Sequence, residues 1–209
     1  MTDKSKLYGM FPTPVYVAKR DSDLIPREER EIEKIIREGM HKNADNSTTN
    51  NHDIFNGKLE KIKQFCEQQI KIYVDQVINP KEELDFYITQ SWLNVNRPGE
   101  SHSEHWHQNS LISGVFYIST EEGDRIKFLD PNVNVNQQIL FEPKEHNLWN
   151  SSGWFFPSIV NELILFPSWL NHKVEPNKNA TTDRISISFN TFVRGTLGDS
   201  AKANELILK

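Results

Sequence analysis

Residues 105–118 read HWHQNSLISGVFYI. The second half of this stretch is an apolar run rich in Ile, Val, Phe and Tyr, the composition of a strand buried in a sheet. The first half sets His105 and His107 two apart, so on a strand both rings point to the same face. Runs of the same kind recur outward in both directions. Residues 86–96 precede the stretch, and residues 125–129, 138–141, 163–166 and 184–193 follow it. Turn residues separate these runs. Several short strands punctuated by turn signals predict a β-sandwich or jelly roll, and no repeat of solenoid length is present.

Towards the N-terminus the pattern changes. Residues 7–18 (LYGMFPTPVYVA) read as an extended segment broken by Pro12 and Pro14. Pro26 opens a helix with Ile32, Ile35, Ile36 and Met40 at helical spacing. The Asn-rich residues 42–56 read as a loop. A second helix spans about residues 59–78, with Leu59, Ile62, Cys66, Ile70, Tyr73 and Val77 as its apolar stripe; Asn79-Pro80 ends it. The expectation is a single domain over 1–209, mainly β with flanking helices (α+β). A strand-and-helix flank (1–80) packs outside a β-core (84–195).

Composition narrows the function. Lys plus Arg is 24 and Asp plus Glu is 29, a net charge of −5. With no basic cluster, this excludes nucleic acid or a membrane surface as the main partner. Cys66 is the single cysteine, so no intrachain disulfide forms and a reducing, cytoplasmic compartment is expected. No secretory signal is read at residues 1–6. No run approaches the roughly 18 apolar residues of a membrane span. A homodimer is compatible with all of this.

Three of the seven histidines fall in residues 101–108 (SHSEHWHQ). Paired imidazoles on one face can grip a metal ion from one wall, with a third ligand from elsewhere. His172, in residues 166–174 (FPSWLNHKV), follows an apolar strand and is the candidate. Imidazole suits iron, zinc, copper and nickel alike, so the ligands do not name the metal. Alone, a His-x-His is common on protein surfaces. His102 reads as a loop residue, and His41, His52 and His146 as solvated. The last strand adds weight. In residues 184–190 (RISISFN), Arg184, Ser186, Ser188 and Asn190 share one face and Ile185, Ile187 and Phe189 the other. An edge strand with its polar face in water is the bland reading. Inside a barrel, an Arg with a Ser two residues on makes a site for a small carboxylate.

Gly99, then His105-x-His107, His172 and Arg184-x-Ser186, resembles the prolyl 4-hydroxylase-like group of 2-oxoglutarate and iron(II) oxygenases. More narrowly, residues 105–118, 165–172 and 184–190 look like a bacterial and phage group of 2-oxoglutarate oxygenases, whose opening residues 7–17 resemble. The resemblance implies a double-stranded β-helix. It also implies Fe(II) held by His105, His107 and His172, and 2-oxoglutarate as cosubstrate with Arg184 and Ser186 at its C5 carboxylate. His107 falls where most of that superfamily has Asp or Glu. Asn161-Glu162 replaces the usual turn Gly. Asn96 stands where the prolyl hydroxylases have a Tyr beside the cosubstrate. Asn94, on the same strand face, and Tyr117 are further cosubstrate candidates, with polar surface and core as their respective alternatives.

Three ligands on one face leave positions for 2-oxoglutarate and dioxygen. The implied reaction hydroxylates an unidentified substrate (a prolyl residue, a peptide or a small metabolite) and releases succinate and carbon dioxide. Two other readings share the fold. Gly99-x5-His105-x-His107 also fits the first motif of cupins, a group of metal-dependent dioxygenases and isomerases, although residues 108–112 hold no acidic ligand. The third is a non-enzymatic jelly roll for binding or structure. Residues 133–159, with Trp149, Trp154, Phe155 and Phe156, read as a lid or partner surface or as core.

Overall fold

The computed structural model describes residues 5–132, 139 and 141–209. Of the strand expected at 138–141, residues 138 and 140 lie outside the described residues, and residues 139 and 141 are in no strand.

The strands form two antiparallel sheets. The large sheet runs β1 (Tyr16–Lys19), β9 (Glu162–Pro167), β6 (Ile112–Ser119), β11 (Arg184–Leu197), β4 (Asp85–Asn96), β3 (Ser47–Thr49) and β2 (Met40–Lys42), with β12 (Leu206–Leu208) on the far end of β11. The small sheet runs β5 (His102–His105), β10 (His172–Val174), β7 (Arg125–Leu129) and β8 (Gly153–Pro157). From β4 to β11 the chain passes repeatedly between the sheets. This is the expected jelly roll, a double-stranded β-helix.

Residue alternation divides the interior into two cores. Along β9, Leu163 and Leu165 pack towards the helices, while Ile164 and Phe166 pack between the sheets. Both faces of β9 are therefore buried, which is why it reads as an unbroken apolar run. Helix α1 (Pro26–Glu38) and helix α2 (Glu60–Tyr73) cover the outer face. Ile62, Cys66, Ile70 and Tyr73 of α2 are buried against Leu93, Phe116 and Ile187, each apolar side chain contributing on the order of 1.5–3 kcal/mol. A π-helical turn, Val74–Ile78, continues α2 and leaves Val77 exposed, contrary to the expected stripe. At the start of α1, Glu28 accepts the Ile25 backbone N–H at 3.0 Å. The same carboxylate receives both terminal nitrogens of buried Arg20 at 3.0 and 3.1 Å. Among the described residues no helix is long and apolar enough to cross a membrane.

Three expectations need correction. Residues 105–118 are not one strand. β5 ends at His105, the chain turns through Asn109 in the left-handed region (φ 55°), and β6 begins at Ile112 in the other sheet. Part of the supposed loop 42–56 is the β2–β3 hairpin, which pairs with the edge of β4. Part of 133–159 is the edge strand β8, paired to β7. The turn without a glycine folds normally. Asn161 takes the left-handed conformation itself (φ 66°), which Asn tolerates, and its side chain bonds Asp23 at 3.1 Å.

Candidate metal and carboxylate site

His105 and His172 face each other across the ladder between β5 and β10. Neighbouring β7 brings Phe128 opposite His172 on the other side, so His172 is clamped between two strands and only 4% exposed. His107 reaches the same point by another route. It lies in the loop after β5, where its N–H donates to Ser168 O at 2.9 Å. The strand-face argument for the His105–His107 pair therefore fails, yet the rings converge because the loop folds back on the turn before β10. Ring centroids are 4.3 Å apart for His105–His172 and 5.2 Å for each pair involving His107. One ligand nitrogen from each of the three lies within 4.8 Å of the other two.

The hydrogen bonds fix which nitrogen is free. His105 Nδ1 meets Ser103 O at 2.7 Å, and His172 Nδ1 meets Leu170 O at 2.9 Å. A carbonyl only accepts, so each Nδ1 carries the proton and each Nε2 keeps its lone pair. Burial holds the rings neutral. It lowers His105 below its ordinary value; with His105 as neighbour, it lowers His107 to about 4 and His172 to about 3. These are three neutral imidazoles whose ligand nitrogens converge, a donor set that fits a transition-metal ion such as iron(II). Glu104 points to solvent, and Asp130 instead accepts the Asn132 N–H at 2.8 Å in the turn after β7.

The trio forms one wall of a cavity between the sheets that opens to solvent. Arg184, Ser186, Asn94, Asn96 and Tyr117 line it from the large sheet. Arg184 stands opposite Asn96, and Ser186 lies between Asn94 on one side and Tyr117 on the other. Arg184 is 6% exposed, yet among the described residues no carboxylate lies within ion-pairing distance of it. The polar face of β11 is thus buried, not in water. Burial lowers the Arg184 pKa, and Asp124 offsets this only from beyond ion-pairing distance, so a cation so placed favours a bound anion. Asn94 donates to Ser188 Oγ at 2.9 Å, and its Oδ1 is buried without a partner among the described residues. The Asn96 amide nitrogen is already committed to Ser101 O at 2.7 Å. Tyr117 is buried, which raises its phenol above the ordinary value.

Sequence reading missed several lining residues, among them His102 and Trp92. His102 is in β5 and faces the cavity, and Trp92 packs 5.8 Å from the His107 ring. Trp92 lies one residue from Leu93 in an ordinary strand pattern, and alternation alone carries the signal for its inward face.

Solved structures share this architecture. A prolyl-4-hydroxylase from Pseudomonas putida superposes with a TM-score of 0.56 at 14% identity, covering 88% of this chain and 94% of its own. The viral collagen prolyl hydroxylase of Paramecium bursaria Chlorella virus-1 gives 0.52 at 14%, covering 84% and 95%. A non-haem α-ketoglutarate-dependent epimerase from nogalamycin biosynthesis gives 0.61 at 7%, covering 86% and 78%. At these identities the likeness is one of fold. No curated protein matches the chain. A double-stranded β-helix that gathers metal-type ligands around an inner cavity defines the class of jelly-roll metalloenzymes. Within that class, residues 90–190 match the family model described as "Putative 2OG-Fe(II) oxygenase", and this match together with the shared fold supports an iron(II)- and 2-oxoglutarate-dependent oxidoreductase.

Proposed function

We propose that the protein is an oxygenase in which His105, His107 and His172 hold iron(II) while Arg184 and Ser186 bind the C5 carboxylate of 2-oxoglutarate. Its substrate is then a prolyl residue, a peptide or a small metabolite, hydroxylated with release of succinate and carbon dioxide. The observation that carries this reading is the pairing, in one cavity, of three neutral converging imidazoles with a buried guanidinium that has no carboxylate partner. A cupin-type enzyme needs the imidazoles but not the guanidinium, and a structural jelly roll needs neither.

The iron and cosubstrate supply the oxidising chemistry; the chain's own residues prepare the place for it. Ser103 O and Leu170 O hold His105 and His172 in the tautomer that presents Nε2. Phe166 and Phe128 pack against His172, with ring centroids at 4.7 and 6.0 Å, and keep water from that side. Arg184 orients a dicarboxylate by a two-pronged charge-assisted contact, Ser186 adds one hydroxyl, and Asn94 and Tyr117 complete the polar wall. The domain is single in this reading, because residues 1–80 supply strands β1 to β3 to the large sheet and both covering helices. The free thiol of buried Cys66 suits a cytoplasmic setting.

The test is anaerobic reconstitution followed by aerobic turnover. One iron per chain and chelator-sensitive conversion of 2-oxoglutarate to succinate are expected. A protein that stays metal-free, or succinate formation indifferent to chelator, would refute the assignment.

A further inference from the structure

His102 has no part in the scheme above, yet its placement is specific. In a regular strand, residues three apart face opposite sides. Against β10, however, His172 pairs with His105 and Val174 with His102, so two steps on β10 answer three on β5. The extra residue is a β-bulge, and it brings His102 onto the face of His105. The two rings stack at 4.2 Å between centroids with 23° between planes. His102 lines the same cavity as His105 and Arg184.

The other flank is also fastened. Asn96, which lies opposite Arg184 in the β4–β11 ladder, donates to Ser101 O at 2.7 Å. The residue before His102 is thereby tied beside Arg184, and His102 shares one cavity with the imidazole trio and the guanidinium. Its tautomer follows from Asn46, which is 0% exposed. Asn43 Nδ2 donates to Asn46 Oδ1 at 2.9 Å, which orients the amide. Asn46 Nδ2 then lies 3.5 Å from His102 Nδ1. An amide N–H only donates, so Nδ1 accepts and the ring proton sits on Nε2.

We propose that His102 is a cosubstrate-binding residue whose Nε2–H donates to a carboxylate of the dicarboxylate held between the imidazole trio and Arg184. The inference rests on the oxygenase reading and extends it: the small sheet contributes to anion binding as well as to the metal. The bulge in β5 exists, on this view, to supply one ring to the metal and the next to its ligand.

The test is calorimetric titration of 2-oxoglutarate into protein loaded with manganese(II), which reads binding without turnover. His102→Phe keeps the stacked ring and deletes the donor. It should weaken 2-oxoglutarate about tenfold or more, the loss of one hydrogen bond to a charged group, with manganese affinity within about threefold of wild type. His102→Gln, which restores an N–H donor, should recover most of the loss. If the Phe variant does not fold, His102→Ala should show the same selective loss. 2-Oxoglutarate binding by His102→Phe (or His102→Ala, where it stands in) within about twofold of wild type overturns the proposal, as does a loss matched by an equal loss of manganese. Wild type that binds manganese but no 2-oxoglutarate refutes the oxygenase reading itself, and this proposal with it.

Discussion

Replacing Arg184 by Met separates two effects that normally move together. Met is similar in length and apolar, so it fills the space left among Ser186, Tyr117 and the β4 wall. In the folded protein the guanidinium is 6% exposed and has no carboxylate within ion-pairing distance among the described residues. Its removal therefore deletes no ion pair at bonding distance, only the longer-range attraction of Asp124, and it relieves the desolvation of a buried charge. The apoprotein should be as stable as wild type or more so. For a bound dicarboxylate the sign reverses, because the charge-assisted pair is lost. That loss is on the order of 2–4 kcal/mol for a buried pair. At about 1.4 kcal/mol per tenfold, the 2-oxoglutarate dissociation constant should rise roughly 30- to 700-fold. Calorimetry on the metal-loaded protein reads the second effect and thermal unfolding of the apoprotein reads the first. Metal affinity should be unchanged, since Arg184 lies on β11 and the imidazoles on the opposite wall. Binding within about threefold of wild type would refute the carboxylate assignment. A large drop in apoprotein Tm would show that Arg184 serves the fold instead.

Four other outcomes are expected. His107→Asp should keep the metal, because a carboxylate is also a ligand, while 2-oxoglutarate binds more weakly through the added negative charge; loss of metal, measured by competition with a chromophoric chelator, would contradict this. Burial holds His107 at about 4 and His172 at about 3, so the folded apoprotein resists protons that the unfolded chain takes up near 6.5. Its stability should be full above about pH 6.5 and decline as pH falls towards 4; urea midpoints that do not change between pH 7.5 and 5 would speak against it. Glu28→Ala strands a buried Arg20 and should cost about 3–5 kcal/mol, whereas replacing both partners by apolar residues should cost much less; equal losses in chemical denaturation would count against the buried pair. In Gly114→Ala the new Cβ would stand 2.2 Å from Phe189 Cζ, a ring that is 0% exposed, so overpacking should cost about 1–3 kcal/mol; an unchanged Tm would mean that the ring can move aside.

Much of the fold was legible because the large sheet is buried on both faces. β6, β9 and the first part of β11 must be apolar on at least one face throughout, and composition reveals them. The small sheet was harder to read. β10 is three residues long, and β5 is the polar segment HSEH. Neither has a periodicity to detect, and both exist because a neighbouring strand offers backbone partners. The hairpin of β2 and β3 was hidden for the same reason. At the site, residue identity carried more than geometry. His105, His107, His172 and Arg184 do meet in one cavity, but the stated route for His107, alternation along one strand, is not the one the chain takes. His102 was read as a loop residue because HSEH carries no strand signal, and a bulge then sets it on the face of His105.

The cavity's charge ties these observations together. Among the described residues that line it there is neither Asp nor Glu, and Arg184 brings one positive charge. In the superfamily that the sequence resembles, a carboxylate ligand usually cancels one charge of the metal; in the site proposed above, the His107 imidazole would take that position and cancel none. A divalent ion held by three neutral rings beside one guanidinium would bring the pocket to about plus three, in surroundings where screening is weak. An apolar or cationic molecule would leave that charge unbalanced. A dianion with one carboxylate at each end balances two of the three units, and its length lets both cationic groups be met at once. On the proposed ligand set, His107 in place of an acidic ligand therefore does not argue against a dicarboxylate cosubstrate. It strengthens the electrostatic case for one, and it leaves residual positive charge at the metal to favour further electron-rich ligands.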